Sequence, residues 1–382
     1  MDFHESTRQY EAWLEEHLPS PLVREDLDVK HAKMAESPFA FLRATFYRWT
    51  QTFAGLCPDL AACPKVLAVG DLHLENFGTW RDREGRLVWG INDFDEAFSL
   101  PYTSDLVRLA TSVSLAIEEG RFDIKKGKAC ACLLEGYQQG LSGKANPLVL
   151  GEELPWLRDL AVLQINRSGW FWKKASQWKR ALTPPPEAAK VLSEALPPDT
   201  EGVQLLHRQA GMGSLGRPRI VALGRWRGDW VAREAKALLL SACVWAHGSE
   251  VSETFADDLL RKGVRSPDPS FEIHPHWIVR RLAPDQIKIE IGDLAADHHE
   301  KRLLFAMGQE TANLHRGTSE IIPSILNDLK LQEVKDQNWL LNAVRATGAL
   351  LEEDWKAWKK YRRLAREGEE KKRNGALFPA SL

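Results

Sequence analysis

Cysteine is scarce in this chain. Its 382 residues hold five, at Cys57, Cys63, Cys130, Cys132 and Cys243. The count is odd and no Cys-x-x-Cys occurs, which argues against a disulfide framework and against a structural zinc site. Long apolar runs are missing too: nothing approaches the ~20 residues that a membrane-spanning helix needs. The opening Met1-Asp2-Phe3-His4-Glu5 lacks both the basic start and the apolar core of a secretion signal. Neither sign of charge dominates, since 51 Lys and Arg meet 53 Asp and Glu for a formal net charge of -2. No global basic field is therefore available for nucleic acid. The expectation is a cytoplasmic protein with no membrane span and no nucleic-acid partner. His274, His276, His298 and His299 make a cluster on paper, but they fall in polar turns and their spacing fits no zinc pattern.

Tryptophan, by contrast, is plentiful at 15 residues. Trp combines a large apolar area with a single donor, so most of these should anchor cores or interfaces. The length suggests two or three domains or lobes. Residues 1-64 read as an N-terminal helical segment, with Phe39, Phe41, Leu42, Phe46 and Trp49 following a helix start at Ser37-Pro38. Residues 65-143 carry two short apolar strands, Lys65 to Val69 and Leu87 to Ile91, with turn residues Asp82 to Gly85 between them as in a hairpin. A helix then opens near Asp105 and runs on to about Tyr137. Residues 144-205, broken at Pro184-Pro185-Pro186, read as a connecting insert. Residues 206-292 read as β-rich, including an alternating strand from Ile287 to Ile291. Residues 293-382 read as C-terminal helices, whose charged face is a solvated one.

The chemistry concentrates in two neighbouring motifs. The first is Gly70-Asp71-Leu72-His73-Leu74-Glu75-Asn76, and the second is Asn92-Asp93-Phe94-Asp95. Asp and Asn commonly sit at strand ends as turn residues, but here two such groups follow each other at the distance of one hairpin. Asp71 and Asn76 have the D-x-x-x-x-N spacing of a kinase catalytic loop, and Asp93 falls where a kinase carries its metal-binding Asp. In that chemistry a carboxylate accepts the proton of the acceptor hydroxyl, and Mg²⁺ takes a few oxygen ligands from protein and the rest from phosphates and water. Asp71 is then the base. His73 belongs to the same catalytic loop, with a bracing hydrogen bond expected of it rather than metal binding. Asn76 and Asp93 are the metal ligands, and Asp95 is a further one.

A third motif, Gly211-Met212-Gly213-Ser214-Leu215-Gly216, has the G-x-G-x-x-G form. An apolar run at Arg219 to Leu223 follows it, then a turn at Gly224 to Asp229 and a second strand at Trp230 to Ala232. Glycines that open a β-hairpin suit a loop covering phosphates, whereas a dinucleotide fingerprint opens a helix. Gly211, Gly213, Ser214 and Gly216 would cover the nucleotide, and Arg233 or Lys236 on the next strand would supply the phosphate-binding cation.

The order of the motifs is that of a kinase read cyclically: catalytic loop and metal Asp first, glycine-rich hairpin second, hinge-like strands and final helices last. The pattern Gly70-Asp71-Leu72-His73-x-x-Asn76, Asp93 and Asp105 is similar to aminoglycoside phosphotransferases, which have His where this chain has Val69. The chain also resembles the bacterial domain-of-unknown-function family 2252. That likeness is carried by Ser37 to Arg43, Gly70 to Gly78, Asn92 to Ala97, Gly211 to Gly216 and Arg233 to Lys236, and it spans most of the chain. Members have Lys-Glu-Ala where this chain has Arg233-Glu234-Ala235, so either Arg233 or Lys236 meets the phosphates. Three positions apart on a strand, the two point to opposite faces.

The resemblance implies an α+β, bilobal, protein-kinase-like fold with circularly permuted connectivity, one β-rich lobe and one larger helical lobe. The expected activity is an ATP- and Mg²⁺-dependent phosphotransfer to an unidentified hydroxyl, of a small molecule foremost. Three alternatives stay open: AMP transfer on the same fold, a non-catalytic nucleotide-binding regulator, and a metal-dependent hydrolase built on Asp71, His73, Asp93 and Asp95.

Overall fold

The computed structural model describes residues 1–181, 183–289 and 299–376. It is an α+β structure. Five helices lead: α1 (Phe3–His17), α2 (Arg24–Met34), α3 (Pro38–Ala44), α4 (Phe46–Leu56) and α5 (Pro58–Ala61). Ser37 caps α3 by accepting the Ala40 N–H at 3.2 Å, and Pro38 takes the first turn, where its missing N–H costs nothing. Four short strands follow: β1 (Lys65–Ala68), β2 (Phe77–Arg81), β3 (Leu87–Ile91) and β4 (Phe98–Pro101).

The pairing of these strands differs from the expected hairpin. β3 pairs with β2, not with β1, and β1 pairs with β4. Sequence reading overlooked β2 because Phe77-Gly78-Thr79-Trp80 is buried at every position and shows no alternation. The helix expected near Asp105 is α6 (Tyr102–Glu118), and a turn at Gly120 to Lys125 separates it from α7 (Lys126–Ser142). α6 is buried almost all round, from Tyr102 to Ala116. The Thr111 and Ser112 hydroxyls satisfy themselves on backbone carbonyls one turn back, Val107 and Leu109, each at 2.7 Å.

Next come α8 (Pro155–Arg167), α9 (Phe171–Ala175) and α10 (Pro186–Ala195). A five-stranded antiparallel sheet follows, built from β5 (Glu201–His207), β6 (Arg219–Trp226), β7 (Asp229–Ala237), β8 (Glu272–His274) and β9 (Trp277–Arg281), in the order β5-β6-β7-β9-β8. The sheet thus starts at Glu201, inside the stretch read as an insert. α10 packs Ala188, Val191 and Leu192 on one face of it. Ala175, Phe171, Trp172 and Trp178 cover the other. Trp178 and its neighbours are sheet packing, while Trp170 stays 58% exposed.

α11 (Ala242–His247) and α12 (Ala256–Lys262) lie between β7 and β8. Of the strand expected at Ile287 to Ile291, residues 287–289 are irregular and the remainder lies outside the described residues. Its start is nonetheless tied to β2: the Thr79 N–H donates to the Ile287 carbonyl at 2.9 Å. The chain closes with α13 (Glu300–His315), α14 (Ile322–Lys335) and α15 (Trp339–Ala376). One large apolar core joins the leading helices, α6, α7 and these last helices, from Phe3 to Trp358. No helix among the described residues is long and apolar enough to cross a membrane.

Candidate functional site

The loop after β1 is held from beneath by one carboxylate. Asp105, fully buried on α6, accepts the Val69 N–H at 2.7 Å and the Gly70 N–H at 2.9 Å. His315, at the end of α13, places Nε2 3.0 Å from the same carboxylate, and its Nδ1 lies 2.8 Å from the Tyr137 hydroxyl. Asp105 is therefore no helix cap; it pins the backbone that presents Asp71. Gly70 sits at φ +84°, and a Cβ there would fall 2.2 Å from the Glu96 carbonyl oxygen. Only glycine meets both demands.

Asp71 does not stand alone. Arg108, one turn beyond Asp105, donates from Nε to Asp71 Oδ1 at 2.8 Å and from Nη2 to the Leu42 carbonyl at 2.8 Å. Its guanidinium is 5.1 Å from the Phe46 ring and 5.2 Å from that of Trp49. Burial outweighs the pull of Arg108, and the Asp71 carboxyl is pushed up to about 7.

His73 and Asn76 form a reciprocal cap on the 3-10 turn Leu74–Asn76. The His73 N–H donates to Asn76 Oδ1 at 2.6 Å, and His73 Nδ1 accepts the Glu75 N–H at 3.2 Å. Burial, with Arg43 nearby, holds the His73 imidazole well below its usual basicity, so it is neutral. The Asn92 N–H then donates to the Asn76 carbonyl at 3.0 Å, which joins the two acidic motifs.

Beyond β3, Asp93 and Asp95 share one cation. Lys236 Nζ is 2.9 Å from Asp93 Oδ1 and 2.6 Å from Asp95 Oδ1. Asp93 remains 43% exposed toward the cleft, whereas Asp95 is 8% exposed. Desolvation raises the Asp93 carboxyl, but Lys236 overrides it and the net shift is downward. For Asp95 burial wins and the shift is upward.

The glycine-rich loop joins β5 to β6 and lies over Asp71. A Cβ on Gly213 would be 3.4 Å from Asp71 Oδ2 and 3.2 Å from the Arg43 carbonyl. The leading helices hold the loop: Lys30 Nζ donates to the Gly213 carbonyl at 3.2 Å and the Val23 N–H to that of Gly216 at 2.8 Å. Arg217 reaches Glu96 Oε1 at 3.0 Å and the Tyr10 hydroxyl at 3.2 Å. Gly211 sits at φ +77°, and a Cβ there would meet Arg219 Nη2 and Ser214 Oγ at 2.7 Å.

One cavity thus gathers Asp71, His73, Asn76, Asp93, Asp95, Gly211, Gly213 and Ser214. Lys236 reaches it through Asp93. Gly216 lies farther back, against Leu22 and Leu27 of the helical cover. Arg233 is not at the site: its Nε donates to the Ala195 carbonyl at 3.0 Å on the α10 side of the sheet. β7 continues unbroken through residue 236, so the two cations face opposite ways.

Sequence reading missed Arg108, Arg217 and Lys288, and left Arg43 between a site position and a surface one. Arg43 lines the cavity and pairs with Glu75 at 3.0 Å. Arg108 carried a usable signal, three positions after Asp105 on the same helix face. Arg217 had none beyond its place after the glycines.

In donor chemistry the Asp93 carboxylate and the Asn76 side-chain oxygen suit a hard cation. One lone pair of that Asn76 oxygen is already engaged by His73. Among the described residues no three His, Cys, Asp or Glu side chains gather into a metal cage. The set fits an ion that keeps phosphate and water ligands, and fits a closed structural metal poorly.

A family model described as an uncharacterized protein conserved in bacteria (DUF2252) matches residues 22–147. The matched stretch holds both acidic motifs, Arg43 and Arg108, and ends before the glycine-rich loop, so it is shorter than the likeness read from the sequence. No curated protein and no solved structure matches the chain.

Proposed function

We propose that the protein is an ATP- and Mg²⁺-dependent phosphotransferase acting on a hydroxyl acceptor, with a permuted kinase-like arrangement of its two halves. The observation that carries this reading is the meeting of Asp93 and Lys236, 143 residues apart. Asp93 lines one cavity with the glycine-rich turn and is bonded by Lys236, which stands on the second strand after that turn, where phosphoryl-transfer enzymes of this type carry their phosphate-binding Lys.

Each side chain then has a task. Asp71 Oδ1 is fixed by Arg108, which leaves Oδ2 to accept the acceptor's proton. A carboxyl near 7 is well matched to that transfer at neutral pH. The acceptor oxygen forms a bond to the terminal phosphorus of ATP, the bond from that phosphorus to the bridging oxygen breaks, and ADP leaves. Asp93 and Asn76 would hold Mg²⁺, which when bound neutralises phosphate charge. Lys236 exchanges part of its contact with Asp93 for a phosphate oxygen, while Asp95 keeps it in place. His73 braces the turn. The hydrolase alternative gains no support, because His73 is committed to a backbone N–H and, among the described residues, no metal cage is gathered around it.

The test is thermal unfolding with and without Mg-ATP. A ligand bound only by the folded state adds roughly 2.7 kcal/mol of stability at a hundredfold excess over its Kd. The wild type should shift upward only when both magnesium and ATP are present, and Asp93→Ala should not shift. Asp71→Asn should keep the shift and lose turnover by about 10²- to 10⁴-fold. Absence of any shift in the wild type at millimolar Mg-ATP would end this reading.

A further inference from the structure

A second cavity of about 320 Å³ opens beside the first, which holds about 50 Å³. The two share Asp93, Gly211 and Lys288. The larger one is the size of a small-molecule pocket. Phe171, Phe271, Leu282 and Ile287 give it an apolar side. Its other side is charged in an unusual way.

Glu234 stands on β7 two residues before Lys236, on the same face, and is fully buried. Three arginines converge on its carboxylate. Arg219 Nη1 donates to Oε1 at 2.7 Å, Arg280 Nε to Oε1 at 2.8 Å, and Arg208 Nη1 to Oε2. Among the described residues Glu234 is the one carboxylate ion-paired with any of the three. Three guanidinium charges meet one directly paired carboxylate, and Asp93, which shares Lys236 with Asp95, offsets only part of the positive surplus. Such a surplus is costly unless something answers it.

Arg219 has little to spare, being buried and also bonded to Ser214 Oγ at 2.7 Å. Arg208 and Arg280 keep unengaged N–H groups, line the cavity, and are 22% and 27% exposed. Two guanidinium forks beside each other match the oxygens of a phosphate. Asp93 and Asp268 also line this cavity. Asp93 shares Lys236 with Asp95, and Asp268 accepts the Ser270 N–H at 2.8 Å.

We propose that Arg208, Arg219 and Arg280, gathered on Glu234, bind a phosphate dianion at the inner end of the cleft. The proposal uses the proposed function only to name the source of that phosphate, which is either the nucleotide's own chain or a phosphorylated acceptor. Through Ser214 the cluster also touches the glycine-rich loop, so a bound phosphate and the loop share one arginine.

The test is calorimetric titration of the full chain with inorganic pyrophosphate, without magnesium and at fixed ionic strength. The wild type should bind it saturably. The double variant Arg208→Met/Arg280→Met should bind at least tenfold more weakly. Arg208→Lys/Arg280→Lys keeps the charge and loses the fork, and should fall between the two, which also guards against misfolding of the Met variant. Because the titration holds no magnesium, failure of magnesium–nucleotide binding is separable from failure of this site. Displacement of pyrophosphate by ATP assigns the phosphate to the nucleotide, and simultaneous binding assigns it to the acceptor; either supports the site. No saturable binding by the wild type, or equal affinity in the Met and wild-type proteins, overturns it.

Discussion

The floor and the roof of the cleft are held by different physics. The floor, from Val69 to Asn76, is pinned by hydrogen bonds to backbone groups: Asp105 on Val69 and Gly70, and Asn76 on His73. Its supports are fully buried and come from α6, α7 and α13. The roof, from Arg208 to Arg219, is held mainly by cationic side chains, Lys30 on Gly213, Arg217 on Glu96 and Arg219 on Ser214. Buried backbone donors allow one geometry, because losing the side-chain acceptor leaves them unanswered. Charged side chains can trade partners when a competing anion arrives. The contrast therefore separates a part that positions from a part that binds.

The comparison breaks most sharply at Asp105. Asp105→Ala leaves two backbone N–H groups and His315 unanswered in the core. At about 1–3 kcal/mol for each unsatisfied buried donor, the loss of stability should be roughly 3–5 kcal/mol. Urea unfolding reads it directly, and a loss under about 1 kcal/mol would mean that the floor is not held this way. On the roof, Gly211→Ala forces a side chain into a left-handed backbone against Arg219. It should cost about 1–3 kcal/mol and weaken binding of Mg-ATP, whereas the same change at Gly228 in the β6–β7 turn has open space and should spare binding.

The smallest effect is a pH profile. The Asp71 carboxyl is raised by burial to about 7, so its base form grows in as pH rises through that value, and turnover should rise with it. Stability runs the other way. The protonated folded form is favoured below the unfolded-state value near 4, and that contribution is lost as pH rises through about 7. Asp71→Asn should flatten both slopes, as paired turnover and unfolding titrations between pH 5 and 8 would reveal.

Much of this site is legible along the chain because its groups are local. The Asp71 to Asn76 turn, the Asn92 to Asp95 exit of β3 and the glycine turn each need only a few residues with special backbone or capping demands. The strand assignments failed where locality fails. β2 has no alternation because it is buried on both faces, and β1 finds β4 across 30 to 36 residues, from Ala68↔Phe98 to Lys65↔Pro101. Arg233 and Lys236 look equivalent in sequence, yet strand periodicity sends them to opposite faces once β7 is known to continue.

By itself the amino-acid order determined which residues can do chemistry, since a carboxylate, an amide oxygen and a run of glycines carry their properties wherever they lie. Its periodicities also marked out several of the helices and strands. Tertiary structure alone decided the charges. Arg108 meets Asp71 across 37 residues, His315 meets Asp105 across 210, and three arginines from three different strand ends and turns close on Glu234. A titratable group's behaviour depends on burial and on neighbours within a few ångströms, and in a folded chain those neighbours are set by packing rather than by position in the sequence.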